Sequence, residues 1–113
     1  MRKIIDQRVY DTEKAEQIAS TWYGTSYDDF SYLEEILYRT KNGALFLYAS
    51  GGPMSRMGKS MAGNGSCGSS DITAYDNTDA ISWLIQAHEN GDISADEYID
   101  ATAKIAAELP IEA

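Results

Sequence analysis

An α+β fold is what this sequence predicts: an antiparallel sheet of 3–5 strands with one N-terminal helix and a C-terminal αα-hairpin. Three observations carry the prediction. Two β-prone runs, Glu34–Thr40 and Ala44–Ala49, flank Lys41-Asn42-Gly43, and Asn-Gly is the strongest short hairpin signal. Short β-prone runs also open the chain. Beyond residue 77, apolar residues recur at helical spacing on both sides of Gly91. The 113 residues suit one domain in three parts. These are a hairpin, helix and hairpin over 1–50, a glycine-rich flexible loop over 51–70, and a strand plus acidic helical hairpin over 71–113.

The elements follow in order. Lys3-Ile4-Ile5 and Arg8-Val9-Tyr10, separated by Asp6-Gln7, predict a small hairpin. Asp11 or Thr12 then caps a helix over 13–20, with Ala15, Ile18 and Ala19 on its apolar side. Residues 21–32 read as a loop with a short strand at one end. At Asn42-Gly43 two registers are open. A two-residue loop pairs Tyr38 with Leu47 and puts Ile36, Tyr38, Leu45 and Leu47 on one face. A three-residue loop shifts the pairing by one and mixes these sets. Either way both faces carry large apolar groups, so this hairpin is central to the fold.

Residues 51–70 hold six of the nine glycines, which marks a long flexible loop. Asp71–Tyr75 reads as a returning strand. A helix over 78–90 follows, with Ala80, Ile81, Leu84, Ile85 and His88 on one face and Gly91 as its stop. Ser94-Ala95-Asp96-Glu97 is a capping box that starts a last helix reaching about Leu109. Its buried stripe is expected to be Tyr98, Ile99, Thr102, Ile105, Ala106 and Leu109.

Charge is the strongest functional clue. The chain carries 18 acidic and 9 basic side chains, a net charge of −9. Residues 1–59 are balanced, so the whole excess lies in 60–113, where Lys104 is the only basic side chain. Such a balance argues against direct nucleic-acid binding, because phosphates are held by surplus Lys and Arg. It suits either a solubilising surface or a docking face for a basic partner, and segregation by half is what keeps the docking reading open. No apolar run approaches the ~20 residues of a membrane span, and no signal segment opens the sequence, so the expected setting is cytoplasmic. The single cysteine, Cys67, permits no internal disulfide.

No motif specifies a reaction. Gly51 to Ser60 ends in Gly-Lys-Ser like a phosphate-binding loop, but Gly52 falls one residue too early and no helix former follows. Cys67 and His88 invite a nucleophile-and-base pairing, yet His88 lies on a helix's apolar side. Cys67 sits among Gly and Ser with no charged sequence neighbour. One Cys and one His are too few for zinc. Asp71, Asp76 and Asp79 are better explained as a helix start than as a metal cluster. The expectation is therefore a non-enzyme with no cofactor and no metal.

What remains is a binding surface. The carboxylates Asp79, Glu89, Asp92, Asp96, Glu97, Asp100 and Glu108 of the helical hairpin would form one acidic patch. Trp22, Tyr23, Tyr27, Phe30 and Tyr32 crowd one short segment, and Tyr27 beside Asp28 and Asp29 would make an interface anchor imitating nucleic acid.

Two segments also resemble known families. Lys3-Ile4-Ile5 with Tyr10-Asp11-Thr12, and Leu37-Tyr38-Arg39-Thr40-Lys41, Gly43, Phe46-Leu47-Tyr48 and Gly51-Gly52-Pro53, are similar to small accessory proteins of bacteriophages and conjugative elements. Some of those neighbour anti-CRISPR proteins. The likeness covers about residues 3–53 and carries no catalytic residue. Leu84, Gly91, Ile93-Ser94 and Glu97-Tyr98 resemble the short helical hairpin modules at the C-termini of many bacterial proteins. The resemblance and the charge together lead to an expected function. It is an anti-CRISPR-like inhibitor, monomer or homodimer, that binds a basic host protein such as a CRISPR effector in the bacterial cytoplasm, touching neither nucleic acid nor membrane. The alternative is an oligomeric structural or regulatory accessory protein of the same elements.

Overall fold

A computed structural model describes residues 1–60 and 66–105. The chain runs β1 (Arg2–Ile5), β2 (Arg8–Asp11), β3 (Glu16–Tyr23), β4 (Leu33–Arg39), β5 (Leu45–Gly51), β6 (Lys59–Ser60), β7 (Ser66–Cys67), β8 (Ser69–Tyr75), α1 (Asn77–Glu89) and α2 (Ala95–Lys104). A four-stranded sheet in the order β3-β4-β5-β8 is antiparallel throughout, while β1-β2 and β6-β7 are separate two-stranded ribbons. The α+β class, the strand count and the central place of β4 and β5 agree with the sequence reading.

The N-terminal hairpin forms as expected. Asp6 and Gln7 take φ of 50° and 65°, the left-handed pair of a type I′ turn, and Ile5 pairs with Arg8. The N-terminal helix does not form. Asp11 does accept the Glu13 N–H at 2.9 Å, as a cap should, and Lys14 and Ala15 close a single turn onto its carbonyl. From Glu16 the chain instead extends as β3 and pairs with β4 along its whole length, with a bulge between Gln17 and Ala19. The bulge directs Ile18 into the core beneath the helices. Ladder pairing with a preformed hairpin outweighs a weak helical periodicity that rests on Ala15, Ile18 and Ala19.

The β4–β5 turn adopts the three-residue register. Thr40 and Ala44 close the loop, Gly43 sits at φ 87°, and Leu37 pairs with Leu47 and Tyr38 with Phe46. A type I turn followed by a left-handed residue is the three-residue solution, and glycine takes that conformation without strain. This register sorts the side chains by kind. Leu37, Leu45 and Leu47 fall on one face, and Ile36, Tyr38, Phe46 and Tyr48 on the other.

Residues 51–70 are not one loop. Gly51 ends β5, β6 pairs with β7, and β8 already begins at Ser69. Between them the chain is tied down: Gly52 and Met54 donate to the carbonyls of Tyr32 and Phe30, and the Ser55 hydroxyl donates to Gly52. A Cβ on Gly52 would come within 2.5 Å of the Phe30 carbonyl oxygen, which gives the Gly51-Gly52-Pro53 motif a packing reason. The Gly-Lys-Ser segment enters a strand, not a helix N-terminus, which removes the phosphate-loop geometry. Lys59 stands directly opposite Cys67 in the ribbon, a charged neighbour that sequence distance hides.

Both helices are capped by reciprocal boxes, Asp76 with Asp79 and Ser94 with Glu97. Gly91 ends α1 in a Schellman motif, its N–H reaching His88 and that of Asp92 reaching Ala87. The buried stripes are narrower than the spacing suggests. Ala80, Leu84 and Ala87 of α1 and Ala101 and Thr102 of α2 are buried, with Ile93 and Ile105 beside them. Ile85 and Ile99 point outward instead, at 42% and 44% exposure, and Trp83 packs against the core in their place. Ala106, Leu109 and the end of the last helix lie outside the described residues.

Two cores result, one on each face of the sheet. Leu37, Leu45 and Leu47 meet Ile18, Ala80, Leu84, Ala87, Ile93, Ala101 and Ile105 under the helices. On the opposite face Tyr10, Phe46 and Ile72 pack beneath the β1–β2 hairpin, with Ile5, Tyr38 and Tyr48 partly buried around them.

Candidate functional site

The expected site residues divide between the two sides of the sheet. On the helix side, Asp79, Glu89, Asp92, Asp96, Glu97 and Asp100 are all exposed, but their roles differ. The Asp79 and Glu97 carboxylates accept from the backbone N–H groups of Asp76 and Ser94 and so belong to the caps. Asp79 also lies apart from the rest. Its end of α1 is nine residues from His88, about 13 Å at helical rise, and His88 is the residue that meets Tyr98 at the turn. Glu89 at the end of α1, Asp92 in the turn, and Asp96 and Asp100 on α2 are the uncommitted acids. Glu108 lies outside the described residues. Among the described residues the two ion pairs, Lys3–Asp71 and Arg56–Glu35, both lie elsewhere.

His88 has a structural task at that turn. Its Nδ1 is 3.0 Å from the Ile93 carbonyl oxygen and its ring centroid 6.0 Å from that of Tyr98, though the residue as a whole is exposed. That bond ties the two helices across Gly91.

Tyr27 lies on the other side. Trp22, Tyr27 and Tyr32 pack together, with Trp22–Tyr27 centroids 4.9 Å apart, Trp22–Tyr32 5.5 Å and Tyr27–Tyr32 5.3 Å. The Tyr27 hydroxyl lies 3.4 Å from both carboxylate oxygens of Glu34, whose negative charge pushes the tyrosine's pKa up. Of the two acids beside Tyr27, Asp29 serves the loop. The Asp29 carboxylate accepts from Ser31 and Thr25, and these N–H groups hold it below the usual carboxylate range. The Asp28 backbone N–H donates to the Ser26 hydroxyl, while its own side chain is exposed. The acids and the aromatic anchor therefore make two surfaces, and Glu34, Ile36, Tyr38 and Tyr48 extend the aromatic one. Glu34, Ile36 and Tyr38 share a face in any register, but Tyr48 joins them only through the three-residue turn, which the residues alone left open.

No family model matches the chain, and no curated protein or solved structure is significantly similar to it. Among the described residues no helix is long and apolar enough to cross a membrane, and no group of three His, Cys, Asp or Glu side chains is placed to hold a metal ion.

Proposed function

We propose that this chain is a non-catalytic accessory protein of a phage or conjugative element, and that it inhibits a host nucleic-acid-handling defence complex in an anti-CRISPR-like manner. It acts inside the bacterial host by laying its acidic helical hairpin on a basic protein surface, with a CRISPR effector as the leading candidate. One observation carries the reading. Glu89, Asp92, Asp96 and Asp100 stand exposed on two capped helices and their turn, Lys104 is the only Lys or Arg on these elements, and no ion pair among the described residues engages them. Carboxylates on a rigid frame lose little freedom on docking, and their field speeds association with a cationic groove. Nucleic-acid channels of effectors are grooves of that kind.

The test is plasmid clearance in cells expressing a panel of CRISPR effectors, comparing the parent with a triple variant, Glu89→Lys, Asp92→Lys and Asp100→Lys. These positions avoid both capping boxes, and a lysine at the C-terminus of α1 suits the helix dipole, so the melting temperature should hardly move. Protection of the plasmid by the parent and its loss in the variant is the expected outcome. If no effector is inhibited and light scattering finds a stable oligomer, the oligomeric accessory role replaces this one.

A further inference from the structure

Glu34 and Glu35 are adjacent on β4, so the pleat sends them to opposite faces. Their circumstances differ. Glu35 is paired with Arg56. Glu34, also only partly exposed, has no ion pair among the described residues. Its surroundings are aromatic instead. Trp22 is its cross-strand partner on β3 and Ser50 its partner on β5. Tyr27 reaches its carboxylate at 3.4 Å, and burial together with the Glu34 charge raises the pKa of Tyr38.

The aromatic frame is fixed in advance. The Trp22 indole N–H donates to the Gly24 carbonyl at 3.0 Å, and the Tyr32 and Ser50 hydroxyls are 2.9 Å apart. Tyr27 is the loose member, 65% exposed and held to Glu34 only by long contacts that a better donor would displace. The β1–β2 hairpin covers Tyr10, Phe46 and Ile72 farther along this face and leaves the Trp22–Glu34 part open.

The chemistry of this surface selects its occupant. An anion is repelled by Glu34, and an apolar group would desolvate the carboxylate without compensation. A cation satisfies it, and a planar one can also lie against the rings. The guanidinium group does both, forking onto a carboxylate while stacking on aromatic faces, whereas an ammonium supplies only a point charge.

We propose that the open part of this sheet face binds an arginine side chain of a partner protein, its guanidinium forked on Glu34 and stacked against the Trp22–Tyr27–Tyr32 cluster. The carboxylate of the site lies across the sheet from the acidic hairpin, although Asp92 of the hairpin turn lines a cavity with Trp22 at the β3 edge.

The experiment is an NMR titration with an acetylated, amidated Gly-Arg-Gly-Arg-Gly peptide, following the indole N–H signals of Trp22 and Trp83. Lysine and citrulline versions of the peptide serve as comparisons. The arginine peptide should move the Trp22 signal saturably and leave Trp83, which packs against the helical core, in place. The lysine peptide should bind about tenfold more weakly and the citrulline peptide not at all. Glu34→Gln keeps the Tyr27 contact but removes the charge, and should abolish the shift while retaining the parent's spectral dispersion. Trp22→Leu, followed through the Tyr27 ring signals, should weaken binding about tenfold by removing the stacking surface. A Glu89→Lys, Asp100→Lys double variant, which leaves Asp92 near Trp22 unchanged, should bind the arginine peptide as the parent does, which separates this site from the hairpin. Equal binding by Glu34→Gln, equal binding of the citrulline peptide, shifts confined to the hairpin, or no saturable shift would each overturn the proposal.

Discussion

The two faces of the central sheet are built from the same strands and treated in opposite ways. Under the helices, Leu37, Leu45, Leu47, Ala80 and Leu84 exclude water almost completely, from 0% to 4% exposed, with the partly buried Tyr75 and Tyr98 packed against the cluster. Across the sheet, only the corner beneath the N-terminal hairpin is dry. The rest carries Trp22, Tyr27, Tyr32, Glu34, Ile36 and Tyr48 at partial or full exposure. A closed aliphatic face contributes stability by removing apolar area from water. An open aromatic face around a carboxylate contributes less to stability and offers a partner more. Period-two alternation lets one set of strands serve both ends.

The largest effects should come from the closed face. Leu84→Ala removes the fully buried anchor of α1 and should cost about 2–5 kcal/mol in urea denaturation. A cost below about 1 kcal/mol would mean that the helices ride loosely on the sheet. Next come the caps that hold those helices: Asp76→Ala or Ser94→Ala should each cost about 1 kcal/mol. Neither should alter the near-UV signal of the Trp22–Tyr32 cluster on the other face.

How much of this was legible in the residues follows from range. The capping boxes, Gly91, the Asp6-Gln7 turn and the hairpin around Gly43 are local chemistry, and each stands where the residues put it. Residues 13–20 misled because Ala15, Ile18 and Ala19 fit a helix within eight residues, while the ladder that makes Glu16–Tyr23 a strand comes from β4, a separate segment of the chain. The glycines of 51–70 signalled a loop, but Gly52 and Met54 donate to the carbonyls of Tyr32 and Phe30, and Lys59–Ser60 pairs with β7. The acidic hairpin could be read because charge needs no register. The Glu34 surface could not, since a one-residue change in the Asn42-Gly43 loop decides whether Leu45 and Leu47 or Phe46 and Tyr48 join Glu34, Ile36 and Tyr38 on their face.

Smaller effects sharpen the contrast through pH. Burial pushes the pKa values of Tyr38 and Tyr75 above their ordinary value of 10.0, with Glu34 adding at the first and Glu35 at the second. A raised pKa in the folded state means that the stabilisation is complete below about pH 10 and is lost as pH rises through the folded value. Urea midpoints should therefore fall in strongly alkaline buffer, and Tyr38→Phe should lessen the fall. A parent midpoint that stays flat there would contradict it.

At the acid end, Lys3 donates to Asp71 at 2.7 Å and to the Ile72 carbonyl at 3.1 Å, binding β1 to the outer strand. The hydrogen bond from Lys3 holds the Asp71 carboxyl below its usual range. This contribution is present above the unfolded value near pH 4 and disappears as pH falls through the lower folded one. Both side chains are well exposed, so Lys3→Ala should cost no more than about 1 kcal/mol at neutral pH and nothing once Asp71 is protonated. The smallest effect is expected of Tyr27→Phe, whose urea midpoint should stay with the parent's, because its hydroxyl makes only long contacts at the surface.

The division of labour between the faces is tested most directly by two neighbours on β4. Leu37 is fully buried beneath the helices, and Ile36, one residue away, lies only partly buried on the aromatic face. Urea denaturation of Leu37→Ala and Ile36→Ala, run side by side, separates the faces without changing strand, register or turn. Leu37→Ala should lose about 2–5 kcal/mol and Ile36→Ala at most about half as much, since water already reaches its side chain. Equal losses at the two positions would show that both faces are closed and that the aromatic surface is core, contradicting the account.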